Sequence, residues 1–87
     1  MLWDAVKNNK VDVIEAILKS GFNVNLHVMD NRMTILMLAS TISSNQEIFD
    51  TILKYNPIVN QTGSGGKTAL HFAANAGNEV AIQNLVQ

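Results

Sequence analysis

Few residues of this 87-residue chain are equipped for chemistry. It holds two histidines, His27 and His71, and no cysteine, so a catalytic pair or metal cluster would have to be built around one imidazole. His71 lies in "GGKTALHFAANAG" (Gly65 to Gly77), where its helical neighbours three and four positions away are Lys67, Thr68, Ala74 and Asn75. None is a usual metal ligand or a nucleophile-activating partner. Standing three residues after Thr68, the imidazole can instead bond that hydroxyl at a helix start and reach the backbone of the adjacent loop, which makes it scaffold. His27 falls in a loop without a counterpart in the next loop and is expected in solvent. "TGSGGKT" (Thr62 to Thr68) ends in Gly-Lys-Thr ahead of a helix whose N-terminus could attract an anion. A phosphate-binding loop also needs a glycine five residues before Gly66, and Gln61 stands there. Asp4, Asp12, Glu15, Asp30, Glu47, Asp50 and Glu79 are scattered, without a pairing suited to acid–base work. We therefore expect no catalytic residue, no metal, no cofactor and no enzyme activity.

The elements that would position any site must come from one small domain. With 47% hydrophobic and 15% charged residues the chain has the make-up of a globular protein. A net charge of −1 offers no footprint for nucleic acid or an anionic membrane. The longest apolar run, "ILMLA" (Ile35 to Ala39), is far short of the roughly 18 to 20 residues of a membrane span. The opening "MLWDAVKNNK" lacks the basic and apolar regions of a secretory signal, so an intracellular location, cytoplasmic or nuclear, is expected.

An internal repeat organises the chain. Ala5, Ala39 and Ala73 follow one another at 34 residues, each with a leucine three positions earlier: Leu2, Leu36 and Leu70. "VIEAILKSGFNVN" (Val13 to Asn25) lines up with "IFDTILKYNPIVN" (Ile48 to Asn60), and "AIQNLV" (Ala81 to Val86) repeats its first half. Val13, Ile14, Ile17 and Leu18, and likewise Ile48, Phe49, Ile52 and Leu53, form the stripe of a buried helix face. Thr34 and Thr68 stand where N-caps belong. Asn9, Gly21, Asn56 and Gly77 suit left-handed helix ends. Each unit thus reads as helix, turn, helix and loop, with one extra residue in "TISSNQE" that should distort the middle turn.

These features resemble the ankyrin repeats, a family whose signature is glycine, any residue, Thr-Pro-Leu-His and paired alanines. "GKTALHFAA" (Gly66 to Ala74) departs from it only at Ala69, and "KSGFNVN" is similar to its Gly-Ala-Asp-Val-Asn loop. "RMTILMLAS" keeps Thr34, Leu36 and Ala39 but has Arg32 for the glycine and Met37 for the histidine. The resemblance implies an all-α stack, a solenoid of about three helix-turn-helix units with short hairpin loops. Residues 1–25 form repeat 1, lacking its leading hairpin, 26–60 form repeat 2, and 61–87 form repeat 3, lacking its trailing loop.

It further implies a noncatalytic scaffold for protein–protein interaction, whose partner is another protein or a peptide; no nucleic acid or membrane partner is expected. The alternative is a self-associating fragment or regulatory segment of a larger protein, joined through exposed repeat ends. The partner face should combine hairpin tips, Asp30, Asn31, Met33, Ser64 and Lys67, with the first-helix positions Lys7, Asn8, Thr41, Ile42, Asn75 and Ala76. Met33 and Ile42 are the expected apolar anchors. Thr68, His71, Ala39, Ala73, Gly21 and Gly77 are expected to be structural. Trp3 should cover the open end of the first unit, and Asn84, in a position where the family usually has leucine, should turn the last helix to water as a cap. Asn25 and Asn60 should close their loops through side-chain amides.

Overall fold

The computed structural model describes residues 2–27, 32–43 and 45–86, without the side chains of Leu2, Trp3 and Ser64. The expected role of Trp3 therefore lies outside the described residues. Six short helices follow in pairs: α1 (Leu2–Lys7) and α2 (Val11–Lys19), α3 (Ile35–Ile42) and α4 (Gln46–Leu53), α5 (Ala69–Ala76) and α6 (Glu79–Leu85). One 3₁₀ turn, Ser64–Gly66, interrupts the loop before α5. The first helices stack as α1, α3, α5 and the second helices as α2, α4, α6, giving two layers around a shared core. None of the six exceeds nine residues. Isolated helices of that length are marginal in water, so stacking supplies their stability.

The core runs along the first-helix layer. Ala5, Ala39 and Ala73 are buried at equivalent positions, and α3, lying between α1 and α5, buries every residue from Ile35 to Ser40. That is why "ILMLAS" carries no polar stripe, whereas α2 and α4 are amphipathic.

The second-helix stripe is realised unequally. Ile48, Phe49 and Ile52 of α4 are fully buried, as is Ile14 of α2, but Val13 is exposed and Ile17 half-buried. The cause is position in the stack, because α4 lies between α2 and α6 while α2 has a neighbour on one side among the described residues. Asn84 also departs from expectation. It exchanges hydrogen bonds with Gln46 of α4, at 2.8 and 3.0 Å, and so faces the stack rather than capping it toward water.

Helix ends follow the sequence signals closely. Gly77 caps α5 in the left-handed conformation (φ 66°), and Asn9 and Asn56 are left-handed at φ 58° and 54°. Gly21, just past the C-cap Ser20 of α2, also has positive φ (101°). The middle turn is the exception: α3 ends on an extended Ser43 (φ −120°, ψ 134°). This is where the extra residue is accommodated. Arg32 adopts φ 59° at the position where the third unit has Gly66 at φ 71°. The arginine therefore carries a steric cost of about 1–2 kcal/mol that glycine avoids. Between α2 and α4, Lys54 bonds Glu15. That bond, reduced by desolvation and aided by the carboxylate field, raises the Lys54 pKa above its ordinary value. The pair acts while the lysine is charged and is lost as pH rises past that raised value. Both side chains remain well exposed, so the contribution is small.

Ala39→Leu should overpack the first-helix layer and cost about 1–3 kcal/mol, read as a lower denaturation midpoint. Arg32→Gly should be neutral or raise stability by up to about 1 kcal/mol, whereas Gly66→Ala should lower it by a similar amount. A stability loss in Arg32→Gly would mean that the side chain makes compensating contacts.

Candidate functional site

The expected surface residues divide into three groups. Lys7 and Asn8 at the end of α1, Thr41 and Ile42 at the end of α3, and Asn75 and Ala76 at the end of α5 recur at one end of the first-helix layer. All are exposed except Ile42, which is half-buried and packs against the core. Lys67 is exposed beside the 3₁₀ turn that contains Ser64. Asp30 and Asn31 lie outside the described residues.

Met33 must be reassigned. It is only 6% exposed and belongs to the core, so it is unavailable as an apolar anchor. It immediately precedes the N-cap Thr34, itself buried, at the start of the most enclosed helix.

Thr41, Ile42 and Ala76 meet in one shallow depression of about 400 Å³, completed by Ser43, Gly77, Asn78, Glu79 and Val80. Its apolar contribution comes mainly from Ile42 and Val80, while the Thr41 hydroxyl donates back to the Met37 carbonyl at 3.0 Å. A second depression of about 390 Å³ lies one repeat earlier, between Asn9, Lys10, Val11, Asp12 and Val13 of the first turn and Asn45 and Glu47 of the next. Successive helix turns thus leave recesses along this edge.

Asn78 builds the wall of the first recess, a role that sequence reasoning missed. Its Oδ1 accepts from the Ala81 backbone N–H at 3.1 Å, capping α6. Its Nδ2 donates to the carbonyls of Ser40, at 3.0 Å, and Ser43. One side chain therefore satisfies orphan groups at the start of α6 and the end of α3, joining two repeats. The signal available in the sequence was an asparagine directly before "EVAIQNL", a standard N-cap position. At the equivalent place in the middle unit, Asn45 caps α4 by accepting from Glu47 N–H at 3.0 Å, whereas Lys10 provides no side-chain cap for α2.

The two histidines exchange the loop-tying role expected of them. His71 Nδ1 accepts from the Thr68 backbone N–H at 3.1 Å and lies 2.9 Å from the Thr68 hydroxyl, a capping box with imidazole in place of Glu or Gln. Among the described residues its hydrogen bonds stay within its own repeat. His27 is half-buried rather than solvated, and its Nε2 lies 3.2 Å from the Thr62 carbonyl. A carbonyl only accepts, so Nε2 carries the proton, and this ring links the first inter-repeat loop to the second. Asn25 reinforces the same link by accepting from Ile58 N–H at 2.7 Å, and its carbonyl accepts from Gln61 Nε2 at 2.8 Å.

No group of three or more His, Asp or Glu among the described residues is placed to hold a metal ion. The segment "TGSGGKT" folds as a compact turn, with the Gly63 N–H donating to the Lys67 carbonyl at 2.8 Å. A side chain at buried Gly63 would put its Cβ 2.6 Å from the Arg32 carbonyl oxygen, so the glycine serves close packing between loops. No helix of the described residues is long and apolar enough to cross a membrane.

Asn78→Ala should cost about 1–2 kcal/mol, because the cap and the carbonyl bridges are lost together. Asn78→Ser restores a cap without the bridges and should fall between that variant and the parent in unfolding midpoint. Equal midpoints for Asn78→Ala and the parent would remove the inter-repeat role.

Comparison with known proteins agrees with this geometry. Residues 2–87 match the family model for ankyrin repeats in three copies. The chain is 34% identical over 89 residues to the ankyrin repeat protein FPV031 of Fowlpox virus (strain NVSL), covering 99% of this chain and 26% of that protein. It is 29% identical over 84 residues to the human (Homo sapiens) SH3 and multiple ankyrin repeat domains protein 2, covering 97% of this chain and 4% of that protein. The chain thus spans about a quarter of the first relative's length and a far smaller share of the second.

Proposed function

The chain belongs to the ankyrin-repeat family, generally noncatalytic modules of protein–protein interaction, and from that premise we propose that it recognises a protein or peptide through the first-helix ends and their adjoining recess. The observation that carries this reading is the recess lined by Thr41, Ile42, Ala76 and Val80. Ile42 and Val80 offer a small apolar centre, Thr41, Ser43, Asn78 and Glu79 supply polar groups in its lining, and Lys7, Asn8 and Asn75 stand exposed at the equivalent ends of α1 and α5. Partner surfaces commonly place apolar contacts centrally inside such a polar rim. The mixture carries no dominant charge, which favours a protein or peptide over nucleic acid. Exposed Lys67 extends the surface toward the loop side, and Asp30, Asn31 and Ser64 are proposed to join it there.

The reading is tested on a partner captured from the native source and then titrated against purified variants. Ala76→Arg and Thr41→Arg change exposed positions, so each should weaken binding by about tenfold or more, equivalent to about 1.4 kcal/mol, with the unfolding midpoint nearly unchanged. Binding that survives both but is lost on changing Asp12, Glu15 or Lys19 of α2 would place the partner on another face.

A further inference from the structure

Arg32 is the anomaly of the loop side. Among the described residues, three other than glycine hold a left-handed backbone: Asn9, Arg32 and Asn56, at φ 58°, 59° and 54°. Asparagine tolerates that conformation well, and the third unit places Gly66, at φ 71°, where the second has Arg32. Arginine has neither advantage. Its side chain is exposed, and among the described residues no hydrogen bond, ion pair or ring contact reaches its guanidinium. A backbone cost that no internal contact offsets points outward, because strain of this kind persists where the residue serves a function.

The surroundings of Arg32 are cationic. Asp4, Asp12, Glu15, Glu47, Asp50 and Glu79 all lie in helices, so no described residue of the loops is an acid. Asp30 is the one acid of the sequence between helices, and it lies outside the described residues. Gly63 brings the backbones of Arg32 and exposed Lys67 together. Its N–H donates to the Lys67 carbonyl at 2.8 Å, and its backbone packs so closely on the Arg32 carbonyl that a Cβ would stand 2.6 Å from that oxygen. Arg32 thus stays exposed with the neighbouring hairpin already in place. It is followed by buried Met33 and by Thr34, the buried N-cap of α3, which fix its backbone and reduce what binding must order.

We propose that Arg32, with Lys67 beside it, binds a carboxylate side chain of the protein or peptide partner and so selects acidic over neutral segments, a role that rests on the reading of this chain as a protein-recognition module. The planar guanidinium presents paired N–H donors that match a carboxylate, which an ammonium at the same position would meet only as a point charge. Two exposed cations are too few to hold a nucleic-acid backbone at ordinary salt. Arg32 precedes α3 and Ile42 ends it, so the cationic site and the apolar recess are separated by about 15 Å, which about five residues of extended chain can span. One short segment can therefore place an acidic side chain at the first and a small apolar one at the second.

The test uses immobilised twelve-residue peptides with blocked ends, random except for a central position fixed as Glu, Ala or phosphoserine, and reads how much of the 87-residue chain each pool retains. The Glu pool should retain the parent about threefold or more above the Ala pool, the size of an exposed ion pair, and added salt should erase the difference. Arg32→Gly should abolish that preference while keeping or raising the unfolding midpoint, Arg32→Lys should keep part of it, and Lys67→Gln should reduce it. Equal retention of the Glu and Ala pools, a Glu preference that survives Arg32→Gly, or a preference for phosphoserine alone overturns the proposal. If Ala76→Arg still lowers overall retention in any of those cases, the recess reading stands without it. A Glu preference that depends on Arg32 in a chain indifferent to Ala76→Arg and Thr41→Arg gives the converse. A parent retained by no pool also overturns the carboxylate site and leaves the recess to a folded partner.

Discussion

Close stacking of the first helices is the constraint on which the molecule depends. α1, α3 and α5 have six, eight and eight residues, too few to persist alone. Alanine at positions 5, 39 and 73 keeps that layer thin enough for short helices to share one core. The larger apolar groups, Leu36, Met37 and Leu38, then fill the space around it. The same arrangement makes α3 the most enclosed element, which explains why Met33 and Thr34 at its start are drawn into the core.

Polar side chains give this stack its register. Burial of apolar surface is non-directional, whereas Asn78, Asn25 and His27 each bond a backbone group in a neighbouring repeat. Asn78 is the most economical of these links, because its two ends satisfy a helix start and a helix end at once. The recess lined by Ile42 and Val80 is walled by the same asparagine, which joins α3 to α6.

Function in such a scaffold depends on which residues the packing leaves outside. The exposed helix ends carry no grouped acids or metal-ligating side chains among the described residues, and both histidines are engaged in backbone hydrogen bonds.

The sequence by itself determined the repeat, the helix pairs, the left-handed ends at Asn9, Gly21, Asn56 and Gly77, and the burial of Ala39 and Ala73. All follow from local backbone preference or a spacing repeated through the chain, which a linear reading detects directly. Tertiary structure alone decided the rest. Val13 and Ile48 share a pattern position yet differ in burial, because helices flank α4 on both sides. Met33 resembled a loop-tip residue and lies in the core; Asn84 resembled a solvent cap and bonds Gln46. His27, without a counterpart in the next loop, reaches Thr62 across 35 positions of chain. Each of these outcomes depends on what the neighbouring repeat places opposite the residue, and that information exists only once the helices are stacked.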